Sequence, residues 1–195
     1  MGKAERTKQF ILETAAPIFN QKGIAGVSID NILDAAKVAK GCLYGHFDSK
    51  KDLSYAVVDY ALTDLKDKLH TVVNKPQSPK LKLFAYLDFY ANPVKSYLAG
   101  GCPMINFGME ADDTDQGIKN RVKESMLRSQ QLIAGIIEDG KSTGEFQADW
   151  DSEEFAIKMF SLIEGSIVVS RVLGNKKQML QMIKLLKEEI EGKVI

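Results

Sequence analysis

The chain reads as all-α, and three observations carry that reading. Apolar residues recur at helical spacing along most of the sequence, strand-type alternation is almost absent, and Gly, Pro and N-capping residues punctuate the helical runs. About nine helices are expected: three short ones at the N-terminus, a long fourth, and a larger helical remainder.

Ile11, Ala15, Ile18 and Phe19 fall at i, i+4, i+7 and i+8, and Lys22-Gly23 supplies a stop, which predicts a first helix from Thr7 to Lys22. Ile29, Ile32, Leu33 and Ala36 repeat the pattern behind Ser28, a good N-cap, and predict a second helix over 29–36. A very short third helix covers Lys40 to Phe47. Asp48-Ser49 then opens a long fourth helix, Lys50 to Leu69, with Ser49 and Asp52 at capping-box spacing. Val73 to Pro79 holds two prolines and reads as a loop. The aromatic-rich run Lys80 to Leu98 is a helix that Pro93 kinks or breaks near Asn92. Gly100-Gly101-Cys102-Pro103 is a turn, Met104 to Glu110 a short apolar helix, and Asp112, Asp113 and Asp115 a solvated loop before a long helix from Gln116 to Lys141.

From Ser152 to Leu173 apolar residues lie nearly all round the helix, Phe155, Ile157, Ile163, Val168 and Val172 among them, which is more than one core-facing stripe requires. Two readings are open: a deeply buried central helix, or a self-association surface shared with the last helix, whose stripe is Met179, Met182, Ile183, Leu186 and Ile190.

With 45% apolar and 27% charged residues the composition is that of a globular protein, and no segment approaches the ~20 apolar residues of a membrane span. The N-terminus reaches a charged helix without an apolar signal core, so a cytoplasmic location is expected. Cys42 and Cys102 make no disulfide framework and match no metal-ligand spacing; neither metal nor cofactor is expected. A net charge of zero argues against a protein that coats nucleic acid by bulk basicity, yet residues 1–52 hold 8 basic and 6 acidic side chains against 18 and 20 in residues 53–195. An enzyme with Cys102 as nucleophile needs His46 or His70 as base; both lie in the first 70 residues, and no oxyanion-forming glycine motif follows the cysteine, so no enzymatic activity is expected.

The segment Lys37 to Phe47 has what a DNA-reading helix needs: a short helix behind a tight turn, with apolar anchors inside and small or polar residues outside. Ala35, Ala36 and Val38 suit a close helix crossing, and Leu43 and Phe47, at i and i+4, bury the back. Lys40, Gly41, Cys42, Tyr44, Gly45 and His46 then face outward, offering donors for phosphate oxygens and small positions that let the helix approach base edges. The alternatives are a half-buried packing role for Tyr44, a merely solvated His46, and, for the whole chain, a helical protein-protein adaptor.

The run Ala36 to Leu53, A-K-V-A-K-G-C-L-Y-G-H-F-D-S-K-K-D-L, resembles the recognition segment of the TetR family of transcriptional repressors, G-V-S-K-G-T-L-Y-x-H-F-x-S-K-E-x-L. The preceding spacing of Gly23, Ser28, Ile32 and Ala36 matches as well, and the resemblance covers roughly residues 5 to 60. It implies a helix-turn-helix DNA-binding domain over 1–52 and an effector-binding and dimerisation domain over 53–195. It further implies phosphate contacts from Ser28, Tyr44, His46 and Lys50, and base contacts from Lys40, Gly41, Cys42 and Gly45. Two departures stand out: Ala39 replaces the usual Ser or Thr that caps the recognition helix, and Lys37 stands where Gly is common.

For such a family the resemblance implies a homodimer on a palindromic double-stranded operator, released when a small apolar or electrophilic effector fills the C-terminal domain. Phe84, Tyr90, Tyr97, Met104, Phe107, Met126, Met159 and Phe160 form an aromatic and Met-rich set that suits an adaptable pocket and equally an ordinary core. Cys102, just ahead of a short helix whose dipole favours a thiolate, is a candidate redox or electrophile sensor beside the alternative of an inert buried thiol.

Overall fold

The computed structural model describes residues 2–195, and among them it contains nine α-helices and a single isolated β-bridge. The helices are α1 (Lys3–Lys22), α2 (Ile29–Ala36), α3 (Lys40–Tyr44), α4 (Lys50–Val73), α5 (Pro79–Phe89), α6 (Pro103–Ala111), α7 (Gln116–Ser142), α8 (Ser152–Val172) and α9 (Lys177–Glu191), with a 3₁₀ turn at Pro93–Lys95. No helix among the described residues is long and apolar enough to cross a membrane.

The differences from the expected boundaries have local causes. α4 runs one turn further than Leu69 because Val73 is itself a core residue, 1% exposed. The aromatic run is not one kinked helix: α5 stops at Phe89, and the chain re-forms as a 3₁₀ turn in which Asn92 Oδ1 accepts the Lys95 N–H and Pro93 takes the first helical position. At the start of α4 the expected capping box is half made. Ser49 Oγ accepts the Asp52 N–H at 3.1 Å, whereas the Asp52 carboxylate reaches back to the N–H of Asp48 rather than to that of Ser49.

The chain packs as two compact units, one of Met1–Asp64 with Tyr97–Lys123, the other of Leu65–Ser96 with Glu124–Ile195. These units follow packing and cut the chain differently from a functional division at residue 52. In the first unit α1 packs on α2 and α6, burying Ile11, Ala15 and Phe19 with Ile32, Leu43, Phe47 and Phe107. In the second unit α8 packs on α9, and α9 on α5. Phe155, Met159 and Ile163 of α8 face inward with Met179, Ile183, Leu186 and Ile190 of α9. Lys187 ties α9 to α5 twice, through an ion pair with Asp88 at 2.7 Å and over the face of the Phe84 ring at 4.9 Å.

A polar cluster inside the first unit replaces apolar packing where α1 meets α6. Asn20 is 3% exposed, and its amide donates to the carbonyls of Ala99 and Gly101. The Asn106 amide donates to Asn20 O, Asn20 Oδ1 and Gly100 O at 2.9–3.0 Å. Gly100 has φ +106°, and a Cβ there would lie 2.6 Å from the Asn20 carbonyl oxygen, so only glycine lets the turn wrap around Asn20. Gly100→Ala is therefore expected to lower unfolding stability by about 1–3 kcal/mol, measured by urea denaturation. An unchanged midpoint would mean that the turn relaxes away from Asn20 at no cost.

Candidate nucleic-acid interface

α2 begins with a complete capping box: Ser28 Oγ accepts the Asn31 N–H at 3.2 Å, and Asn31 Oδ1 accepts the Ser28 N–H at 2.9 Å. Because the Ser28 oxygen is used as an acceptor, its O–H proton is left to point outward from an exposed residue. α2 ends on Lys37 at φ 54°, ψ 38°, the left-handed region, and Lys37 is the one non-glycine residue among those described with positive φ. That conformation costs about 1–2 kcal/mol for a residue with a Cβ.

α3 starts at Ala39, which makes no side-chain cap, in keeping with its missing hydroxyl. The regular helix ends at Tyr44 rather than Phe47. Gly45 still bonds to Gly41 O, but the N–H groups of His46 and Phe47 both go to Leu43 O at 3.0 Å, a tightened last turn. Leu43 and Phe47 are 0% and 2% exposed, and the Lys8 ammonium lies 5.5 Å above the Phe47 ring. Pinned from behind, the segment leaves Lys40, Gly41, Tyr44 and Gly45 exposed, and Cys42, His46 and Lys50 half-buried. Tyr44 is 42% exposed, so its ring is partly packed and partly open to solvent. One expectation is corrected: Ala35 is exposed, so the helix crossing is made by buried Ala36 and half-buried Val38.

Two further contacts hold the elements around this segment, and neither was apparent from the sequence. The Glu110 carboxylate of α6 accepts the backbone N–H groups of Ile24 and Ala25, each at 2.7 Å, and so clips the turn between α1 and α2. Gly23, at φ +75°, makes room for it, since a Cβ there would come within 2.9 Å of Glu110 Oε2. Asp115 Oδ1 caps α7 through the N–H groups of Gly117 and Ile118 and accepts the Tyr55 O–H at 2.9 Å, while Oδ2 lies 3.5 Å from Lys51 Nζ. The Tyr55 ring is flanked by Lys51 and by the Arg121 guanidinium, 5.4 and 4.4 Å from its centroid. Burial works against the ionised Asp115, but the Tyr55 hydroxyl, the two N–H groups and Lys51 outweigh it and hold its carboxyl below its ordinary range. For Asn20 a signal did exist: it lies on the buried stripe of α1 beside Phe19, a place where an amide needs partners.

The eight aromatic and Met residues noted for an effector divide between the units. Met104 and Phe107 are fully buried in the first, with Tyr97 half-buried; Met159, Phe160 and Tyr90 are buried in the second, with Phe84 and Met126 half-buried. Phe84 serves to seat Lys187. Cys102 is 5% exposed and forms the N-cap of α6, its carbonyl accepting the Asn106 N–H at 3.1 Å.

Residues 11–57 match the model of bacterial regulatory proteins of the tetR family, and residues 79–186 match the tetracyclin repressor-like C-terminal domain. The chain belongs to the tetR family. Among solved structures, a TetR-family transcriptional regulator from Cytophaga hutchinsonii is 31% identical with TM-score 0.90, covering 100% of this chain and 98% of its own. A TetR regulator from Chloroflexus aurantiacus is 28% identical with TM-score 0.93 over the same shares. The HTH-type transcriptional repressor KstR2 of Rhodococcus jostii is 27% identical over 156 residues, 78% of this chain and 73% of its own. This tetR-family chain is thus a DNA-binding transcriptional regulator of the ligand-responsive kind.

The Asp115 network predicts a pH dependence with a definite sign. A carboxyl whose folded pKa lies below its ordinary 3.8 contributes stability that is present above that value and lost as pH falls through the folded one. Asp115→Asn should lower stability at pH 7 and flatten the acid limb of urea midpoint against pH below about 4; an acid limb identical to that of the parent would show that the network does not favour the ionised form.

Proposed function

We propose that the chain binds a palindromic operator as a homodimer, represses from it, and is released when a small, largely apolar effector occupies the C-terminal helices. The observation that carries the DNA part is the shape of 40–47: two buried anchors, Leu43 and Phe47, hold a five-residue helix and its last turn, whose remaining residues are small or hydrogen-bonding and exposed or half-buried. Tyr44, His46, Lys50 and Ser28 are the phosphate contacts in this reading, which fix register. Lys40, Gly41, Cys42 and Gly45 lie against base edges.

The homodimer reading rests on α8 and α9. Ile157, Val168 and Val172 of α8 are 54%, 43% and 82% exposed, and on the same face Ser161 and Gly165 leave room for a close approach. Leu180 and Leu185 of α9 add 43% and 48% exposure. Exposed apolar side chains of this kind along α8 are what a second copy of the same helices would cover. The effector reading rests on buried Tyr90, Met159 and Phe160, with α4, one continuous helix from Lys50 to Val73, as the element through which occupancy reaches the reading head. Operator half-sites one turn apart, about 34 Å, require a fixed distance between two reading heads, so a small change in that distance is enough for release. A cytoplasmic location accompanies this reading.

Selection from a pool of genomic fragments at about 150 mM salt, where non-specific phosphate binding is suppressed, is expected to enrich one or a few inverted repeats. Tyr44→Ala should abolish that enrichment, and Lys50→Ala should weaken binding to all sequences alike while lowering the salt slope by about 1. A folded chain that enriches no repeat would favour an adaptor that binds only protein. For the dimer, Val172→Asp should raise the dissociation constant at least tenfold by analytical ultracentrifugation; an unchanged constant would place the interface elsewhere.

A further inference from the structure

The first unit contains an open-mouthed cavity of about 400 Å³ beside the turn between α1 and α2 and the start of α4, within the range that small-molecule sites occupy. Its walls come from the turn between α1 and α2, the first turns of α4, and the junction of α6 and α7. Ile24, Ala25, Ala111 and Ile118 make it mainly apolar, with Tyr55 on one side.

The charges on its lining are unevenly engaged. Both oxygens of Glu110 are held by backbone N–H groups, and both oxygens of Asp115 are held by Tyr55, by the start of α7 and by Lys51. Lys50 also lines the cavity, and among the described residues it forms no ion pair. The four lining charges, Lys50, Lys51, Glu110 and Asp115, sum to zero; with the Lys50 ammonium outside any ion pair and both carboxylates engaged by hydrogen bonds, the apolar volume suits a monoanion with a hydrocarbon body. A dianionic phosphate would meet Glu110 and Asp115 with only one cation to spare.

We propose that this cavity is a binding site for a small amphipathic carboxylate, its hydrocarbon body lying on Ile24, Ala25, Ala111 and Ile118 and its carboxylate paired with the Lys50 ammonium. Since Lys50 is also the phosphate contact at the start of α4 in the reading above, on which this consequence rests, ligand and DNA compete for one cation. The ligand lowers affinity for DNA of any sequence, and DNA lowers affinity for the ligand by the same factor.

The test uses the full-length chain with methyl-labelled isoleucine and octanoate as the probe. The Ile24 and Ile118 methyl signals are expected to shift and saturate together, octan-1-ol to bind at least tenfold more weakly, and Lys50→Gln to weaken octanoate at least tenfold while leaving octan-1-ol unchanged. Ala25→Trp, at an exposed position on the lining, should block both probes without touching Lys50. Octanoate shifts confined to other isoleucines, or an affinity indifferent to both substitutions, would overturn the site. A separate titration with duplex DNA of arbitrary sequence at low salt isolates the shared-cation step. Reciprocal weakening of DNA and octanoate supports it. Octanoate that binds at Ile24 and Ile118 and leaves DNA affinity unchanged overturns the phosphate role of Lys50 while the carboxylate site stands.

Discussion

A helix of five residues has almost no stability of its own, because closing one turn fixes several backbone dihedrals for a single hydrogen bond. α3 therefore exists only as far as its surroundings impose it, and the structure imposes it through Leu43 and Phe47. Every other feature of the first unit serves that pair. Ile32 and Phe19 complete the apolar floor, and the Asn20–Asn106 amides tie the end of α1, next to Phe19, to α6. Glu110 holds the backbone at which α1 turns into α2. Losing an anchor would not merely weaken α3; it would leave the exposed side chains without a common direction.

The same unit, in a chain of zero net charge, gives two of its carboxylates internal structural roles. Its inner carboxylates are turned toward backbone N–H groups, Glu110 at the α1–α2 turn and Asp115 at the start of α7, where they act as structural acceptors. Lys40 and Lys50 at the starts of α3 and α4 have no such inward partners and remain directed to solvent or to the cavity.

Much of this was legible in the sequence because it depends on local rules. The bounds of α2 follow from Ser28 and the spacing of Ile32 and Ala36, and the break after α5 follows from Pro93. The end of α3 was less legible, since Leu43 and Phe47 share a face whether the backbone between them stays α-helical or tightens. The motif from Ala36 to Leu53 picked out residues that are exposed or half-buried, but the contacts that hold their surroundings join residues some 80 apart in sequence, as Asn20 with Gly101 and Ile24 with Glu110 do. No periodicity encodes such pairs. An isolated Glu on an apolar helix reads as solvated until the backbone it faces is known. The cavity beside Lys50 was illegible for the same reason: its walls come from three separate stretches.

The first packing unit is discontinuous, assembled from the N-terminal 64 residues and a second stretch of 27 that returns from later in the chain, Tyr97–Lys123. The segment from Ser28 to Lys50 and the packing unit that supports it thus do not have the same bounds in the chain. Recombination that exchanged only the N-terminal segment between two regulators would carry over α2 and α3 but leave Asn20, Ile24 and Ala25 facing a foreign α6. Heritable exchange of DNA specificity would then favour either point substitutions on the outer face of α3 or transfer of both segments together. The Glu110 clip and the Gly100 turn would set the seam along which such exchanges succeed.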